Sequence, residues 1–315
     1  MRVVFMGTPD FAVGTLEALI AEGHEIRAVV TQPDKPKGRG KTLMPTPVKE
    51  VALKHEIPVL QPVKVREPEF VEQLRTMEPD VIVVAAFGQI ISRDLLELPK
   101  YGCINVHASL LPAYRGAAPI QWAVINGDRE SGVTIMRMNE GLDTGDMIDK
   151  VEVPLAEDET GGSLFEKLSH AGARLCVKVL EDLESGRAVC TPQPEESTTA
   201  YAAMITKKMG EICWQRPAEE IEQLIRGLNP WPSAYTYLDN KSLKLWKATV
   251  EKAEEETENA VSGQVIRADK NGLCICTGDG ILNVLELQLE GKKRMETAAF
   301  LRGYSIEVGS VLGKA

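Results

Sequence analysis

Short apolar runs alternate with longer amphipathic stretches from Met1 to about Ala203, and that alternation leaves little choice of architecture. Val3 to Met6, Ile26 to Val30, Pro58 to Leu60, Val81 to Ala86 and Cys103 to His107 read as short strands, each too brief and too apolar to be a surface helix. Between the first two, Thr8 is placed to cap a helix with Pro9 at its first position, and Gly23 to close it. Ser163 and Glu166 stand at capping-box spacing and open a helix expected to run to about Leu183. Strands separated by helices make βαβ units, which bury both faces of a mostly parallel sheet.

The pattern changes after about Thr198. Glu195 to Thr199 is polar and turn-like, and beyond a helix expected at Ala218 to Arg226 the chain becomes strand-rich, with turns signalled at Lys270-Asn271-Gly272 and Gly278-Asp279-Gly280. The acidic run from Glu254 to Glu256 reads as a solvated loop. A chain of 315 residues suits two domains better than one. The expected fold is therefore α/β. A Rossmann-like, mostly parallel sheet with helices occupies residues 1–203, and a smaller C-terminal OB-like β-barrel follows over residues 204–315.

Composition excludes several function classes. No apolar run approaches the ~20 residues that span a bilayer, and the N-terminus enters a strand without the marks of a secretory leader. A cytoplasmic monomer without membrane contact is the expectation. Six cysteines scattered over the chain are expected to be reduced thiols. Cys274 and Cys276 form a C-x-C pair without a second ligand pair nearby, so strand alternation accounts for them and no metal is expected. A formal net charge of -10 means that any nucleic-acid contact is confined to local basic patches.

Two segments carry candidate chemistry. Gly7-Thr8-Pro9-Asp10 follows a strand and opens a helix, but lacks the glycine spacing of a dinucleotide site, which disfavours a nicotinamide cofactor. The stronger signal is Asn105-Val106-His107-Ala108-Ser109-Leu110-Leu111-Pro112, followed by Arg115-Gly116. Strand alternation puts Asn105 and His107 on one face, and the strand ends where open α/β sheets keep their ligand crevice. Downstream, Gly141 to Asp146 places carboxylates in a glycine-rich turn. An amide, an imidazole and a carboxylate can serve acyl transfer by polarising a carbonyl, moving protons and orienting the ring. A buried, hydrogen-bonded structural histidine is the competing reading of His107.

The motif Asn105-x-His107-x-Ser109-Leu-Leu-Pro with Asp143 downstream resembles the signature of the 10-formyltetrahydrofolate-dependent formyltransferases. The resemblance implies that Asn105, His107 and Asp143 are catalytic and that Ser109, Leu110, Leu111 and Pro112 lie at the folate cosubstrate. It also implies that Phe87, Gly88, Gln89 and Ile90, at the end of the strand from Val81, line the pterin pocket. Asp146 has no such implied role; its alternative reading is as a residue that caps or stabilises the turn.

Two further segments are similar to the branch of that family whose acceptor is methionyl initiator tRNA. Asp34 to Lys49 holds five basic residues against one acid, with glycines and prolines that argue against a regular element. The resemblance implies that this loop meets the tRNA acceptor arm through Lys37, Arg39 and Lys41, Arg39 above all. Asn229-Pro230-Trp231-Pro232 and Gly291 to Met295 are also similar, which implies a C-terminal domain that helps hold the tRNA. That domain is not basic as a whole, so Lys292, Lys293 and Arg294 are its candidate patch. Ser233 stands where the family pattern has glycine.

Overall fold

The computed structural model describes residues 1–37, 42–252 and 260–313, and its chain divides into two compact units. The first comprises Met1–Pro119, Glu130–Pro154 and Phe165–Ala202. The second comprises Ile120–Arg129, Leu155–Leu164 and Ala203–Ala315.

The first unit is built in chain order from β1 (Arg2–Gly7), α1 (Asp10–Ala21), β2 (Glu25–Val30), β3 (Lys35–Lys37), β4 (Thr42–Met44), α2 (Pro47–Lys54), β5 (Val59–Leu60), α3 (Pro68–Arg75), β6 (Val81–Ala85), α4 (Arg93–Leu96) and β7 (Cys103–His107). After α5 (Pro119–Ile125), which from Ile120 on belongs to the second unit, come β8 (Glu130–Arg137), β9 (Met147–Pro154) and α6 (Gly161–Glu184), whose first four residues also belong to the second unit. Seven strands form one sheet in the order β5-β2-β1-β6-β7-β8-β9. From β5 to β7 the pairings are parallel; β8 joins β7, and β9 joins β8, antiparallel. The chain winds outward from β1 to β5 and then returns to β6 on the other side, so β1 and β6 flank the topological switch point.

The five expected strands are present, with the last strand residue before the turn being Ala85 rather than Ala86. Ala86 has φ of 45°, a left-handed backbone that no strand can continue. Val3 to Met6 and Val81 to Ala85 are buried on both faces, which is why they read as continuous apolar runs. Gly7 is required at the end of β1: a Cβ there would lie 2.7 Å from Ala12 Cβ and 3.1 Å from Ala85 O. Only glycine lets helix α1 and strand β6 approach so closely.

Two cap expectations are corrected. Thr8 does not cap α1; the N-cap is Pro9, before a first helical residue Asp10, and the Thr8 hydroxyl donates instead to Phe87 O at 3.2 Å. Ser163 is the third residue of α6 rather than its cap. Thr160 Oγ1 accepts from Ser163 N at 3.0 Å, and Ser163 Oγ accepts from Thr160 N at 2.9 Å. The reciprocal pair sits one turn earlier because a hydroxyl at Thr160 reaches the orphan amide first.

The segment Asp34 to Lys49, expected to be irregular, holds the antiparallel pair β3–β4 and the start of α2. Thr46 caps α2 by accepting from Lys49 N, with Pro47 at the first position. Prolines and glycines hid a hairpin whose pairing is not a local property of sequence.

In the second unit, α7 (Ala218–Gly227) precedes β10 (Ala234–Leu238), β11 (Lys241–Glu251), β12 (Val265–Asp269), β13 (Gly272–Cys276), β14 (Ile281–Leu289), β15 (Met295–Glu296) and α8 (Thr297–Leu301). The antiparallel sheet runs β10-β11-β14-β13-β12, with β15 on β14. Among the described residues no ladder joins β10 to β12, so this domain is an antiparallel sheet whose closure into a barrel is not drawn. Leu243, Leu245, Leu273, Ile275, Leu282, Val284 and Leu287 form its buried face. Each such side chain contributes roughly 1.5–3 kcal/mol of burial. Asp269 pairs with Gly272 across the two-residue turn at Lys270 and Asn271, and Gly278 to Gly280 turns β13 into β14. The solvated loop expected at Glu254 to Glu256 lies outside the described residues. Among the described residues, no helix is long and apolar enough to cross a membrane, and no cluster of three or more His, Cys, Asp and Glu could hold a metal.

Candidate active site

Strand β7 delivers the centre of the site. Ile104 and Val106 are buried on one face of the strand, and Asn105 and His107 lie with Cys103 on the other. His107 is 6% exposed and its Nε2 lies 3.1 Å from Tyr114 O. A carbonyl oxygen only accepts, so Nε2 carries the hydrogen in that bond. The other ring nitrogen, Nδ1, then faces the Asp143 carboxylate, with Oδ1 at 3.7 Å. That distance is too long for a direct hydrogen bond, so the interaction is Coulombic. Asn105 is half-buried, and its amide has no hydrogen-bond partner among the described residues. An oriented imidazole thus faces a carboxylate at the end of β7, the strand that also carries Asn105.

Asp143 is held from several directions. Its Oδ2 accepts from Gly116 N at 2.9 Å, and its backbone has φ of 54°. Gly145, two residues on, allows the turn, since a Cβ there would sit 1.8 Å from Arg137 O. Asp146, whose role the sequence left open, accepts from Arg137 N through its backbone oxygen at 2.8 Å. Tyr114 and Ala86 also carry positive φ values, 54° and 45°. Strained backbones of this kind gather where function over-determines the local structure.

The expected folate residues divide. Ser109 is fully buried and its hydroxyl donates to Ala113 O at 2.6 Å, while its carbonyl accepts from Thr134 Oγ1 at 2.7 Å. Leu111 is buried with its N–H on Thr134 Oγ1; Leu110 and Pro112 are half-buried. At the end of β6 the Phe87 ring is 2% exposed and belongs to the core with Val4, Met6, Val30 and Ile82. Its carbonyl accepts from Thr8 Oγ1 and Gln32 Nε2. Gln89 is engaged with Val65 N and Pro62 O, whereas Gly88 and Ile90 are exposed.

Of the basic segment, Arg39 and Lys41 lie outside the described residues, as does the side chain of Lys37. Lys49 is not a free cation: its Nζ bonds Asp34 Oδ2 at 2.7 Å and Gln61 Oε1 at 2.8 Å. Hydrogen bonds from Lys49 and then Gln61 hold the Asp34 carboxyl below the usual carboxylate range. In the second unit Lys292 and Lys293 are exposed. Arg294 bonds Glu286 and lies 4.8 Å from the centre of the Trp246 ring, with Lys244 at 5.7 Å from the same ring.

Arg115 and Gln193 were missed by sequence reasoning. The Arg115 guanidinium, only 9% exposed, bonds Gln193 Oε1, Pro194 O and Glu195 O, and Gln193 Nε2 bonds the carbonyls of Asp143 and Gly145. Ser197 Oγ donates to Pro112 O, and Thr199 Oγ1 accepts from Tyr114 N. Residues 193–202, of which Glu195 to Thr199 are expected to be polar and turn-like, therefore form a strap over the loop that follows β7. Arg115 beside the motif was a visible hint; nothing local marks Gln193.

A family description of formyl transferases matches residues 1–180, and one of the formyl transferase C-terminal domain matches residues 204–305. The methionyl-tRNA formyltransferase of Agathobacter rectalis is 60% identical over 310 residues, covering 98% of this chain and 99% of that protein. The methionyl-tRNA formyltransferase of Lachnospira eligens is 56% identical over 316 residues, 100% of each. Among solved structures, an N-formyltransferase from Helicobacter canadensis in complex with folinic acid and dTDP-3-aminofucose shares the fold at TM-score 0.66 and 19% identity, over 90% of this chain and 99% of that one. HypX from Aquifex aeolicus in complex with tetrahydrofolic acid does so at TM-score 0.63 and 18% identity, over 98% of this chain and 50% of that one.

Proposed function

The chain belongs to the formyl transferase family, with the methionyl-tRNA formyltransferases, and from that premise we propose how its residues move the formyl group of 10-formyltetrahydrofolate to the α-amine of methionyl initiator tRNA. The amine nitrogen attacks the formyl carbon and forms the new C–N bond. The bond from that carbon to N10 of the folate then breaks. The amine gives up one proton and N10 gains one, so tetrahydrofolate and formylmethionyl-tRNA are the products of a reaction that begins protein synthesis.

The observation that carries the residue roles is the convergence of Asn105, His107 and Asp143, from two segments of the chain, at the end of β7. The Asn105 amide, free of other bonds, donates to the oxygen that becomes negative in the tetrahedral intermediate. His107 is fixed by Tyr114 O, so its Nδ1 edge is the one placed to exchange the amine's proton. Asp143 offsets the positive charge that arises on the ring as it takes that proton up. The folate side is lined by residues 87–90 and 109–112, chiefly through backbone and loop shape, because the Phe87 ring and the Ser109 hydroxyl are buried.

Residues 1–203 carry the transfer chemistry and residues 204–315 help hold the RNA. Lys37, Arg39 and Lys41 meet the acceptor arm, and Lys292, Lys293 and Arg294 meet phosphates. The enzyme works in the cytoplasm as a monomer. The test is transfer of labelled formyl from 10-formyltetrahydrofolate to methionylated initiator tRNA, beside free methionine and a His107→Ala variant. Transfer to the charged tRNA alone, lost in the variant, supports substrate and site together. Formylation of a small amine instead keeps the site and discards the tRNA assignment.

A further inference from the structure

The strap residue Gln193 is placed to act on the site without touching a substrate. Both N–H groups of its amide go to the main chain around Asp143: Nε2 lies 3.0 Å from Asp143 O and 2.6 Å from Gly145 O. Its Oε1 accepts from Arg115 Nε at 3.1 Å and Arg115 Nη2 at 2.9 Å. Among the described residues the other bonds of the Arg115 guanidinium go to Pro194 O and Glu195 O, so a buried cation is held by uncharged oxygens. Desolvating a cation for such partners is costly, and here it orients a single amide and the strap that carries it.

The bonds close a circuit. Gln193 grips the backbone of Asp143, Arg115 grips Gln193, and Gly116, next to Arg115, donates to the Asp143 carboxylate. A non-glycine residue in the left-handed region is strained, so the φ of 54° at Asp143 needs support from outside its own turn. Without that grip the residue relaxes and the carboxylate leaves Nδ1 of His107.

We propose that Gln193, oriented by Arg115, is a positioning residue for formyl transfer. It fixes the left-handed backbone of Asp143 and thereby the carboxylate beside His107. This rests on the reading of Asp143 as a working carboxylate. A glutamine is required because only an amide offers two donors to the Asp143 loop and an acceptor to Arg115.

The test compares Gln193→Glu and Gln193→Met with Asp143→Asn and wild type, all as the full chain. Gln193→Glu keeps the Arg115 contact, indeed with added charge, but loses the donors to Asp143 and Gly145. Each Gln193 variant loses the two donors to the Asp143 loop, so kcat is expected to fall about tenfold in both. KM for the folate and for the charged tRNA is expected to hold. The imidazole resonances of His107 should move in ¹H–¹⁵N spectra while those of the other three of the four histidines stay.

Wild-type kcat in Gln193→Glu overturns the proposal, since Arg115 would then only be tethering the strap. A fall in kcat with unmoved His107 resonances, a rise in KM alone, or loss of the folded state in both variants also overturns it. Near-normal turnover in Asp143→Asn defeats the catalytic reading itself, whatever Gln193 does. A slow Asp143→Asn beside two normal Gln193 variants defeats only the positioning role.

Discussion

Asp143 in the first unit and Ser233 in the second share a backbone that glycine adopts more easily, with φ of 54° and 71°. Their surroundings differ. Asp143 is gripped by Gln193 and Gly116, and its carboxylate faces His107. Ser233 is 1% exposed, its hydroxyl turned back on Pro232 O, the carbonyl of the preceding residue. The left-handed turn at the first position sets a carboxylate beside an imidazole; at the second the side-chain hydroxyl bonds the carbonyl of its own neighbour. A left-handed residue therefore points to function only when outside bonds hold it and its side chain reaches something reactive.

The largest expected effect lies beside the strained aspartate. Asn105→Ala removes a donor to the developing oxyanion and should lower kcat by ~10² to 10³, or ~2.7 to 4 kcal/mol of barrier, in formyl transfer assays. Near-normal turnover would break the claim that this end of β7 is where strain is put to use. Next, Asp143→Asn should lower kcat by roughly 10², and in a His107→Ala background the same change should have almost no further effect. Equal effects in both backgrounds would separate the carboxylate from the imidazole.

Ser233→Gly sharpens the other half of the comparison. It relieves the left-handed strain while adding some unfolded-state entropy, and should stabilise the protein by about 0.5–1 kcal/mol in urea unfolding. Activity should be unchanged; destabilisation would show that the Ser233 hydroxyl has structural worth.

The smallest effect concerns a carboxylate without strain. Hydrogen bonding to Arg2 holds the Asp80 carboxyl below its ordinary range, ahead of the opposing effect of burial. Because the folded value is depressed, this stability is present above about pH 4, the unfolded carboxylate range, and is lost as pH falls through the lower folded value. Asp80→Asn should lower Tm slightly at neutral pH, and the gap from wild type should close on acidification. A gap that persists at low pH would mean that packing, not charge, was lost.

What could be read in advance follows from how far each interaction reaches along the chain. The apolar runs of β1 and β6 and the alternation that aligns Asn105 with His107 are local patterns, and the structure keeps them. The Thr8 hydroxyl was misassigned because its acceptor, Phe87 O, is 79 residues away, whereas a cap would have been a near neighbour. The hairpin β3–β4 was missed for a related reason: Pro36 faces Leu43 across a segment whose composition signals turns. Gln193 gave no signal at all. A lone glutamine among prolines acquires meaning only when the fold brings Asp143, 50 residues earlier, within reach of its amide.

The strap also orders the site in time. A chain grows from its N-terminus, and β1 to β7 with their helices lie within the first 107 residues, so much of the parallel sheet can pair while the rest is still being made. The amide that grips the Asp143 loop and the hydroxyls of Ser197 and Thr199 emerge later. A nascent chain that ends before Gln193 already holds the strands that set the register of Asn105 and His107, but lacks the amide that bonds the Asp143 backbone. These contacts close long loops, so they form later than the pairing of neighbouring strands.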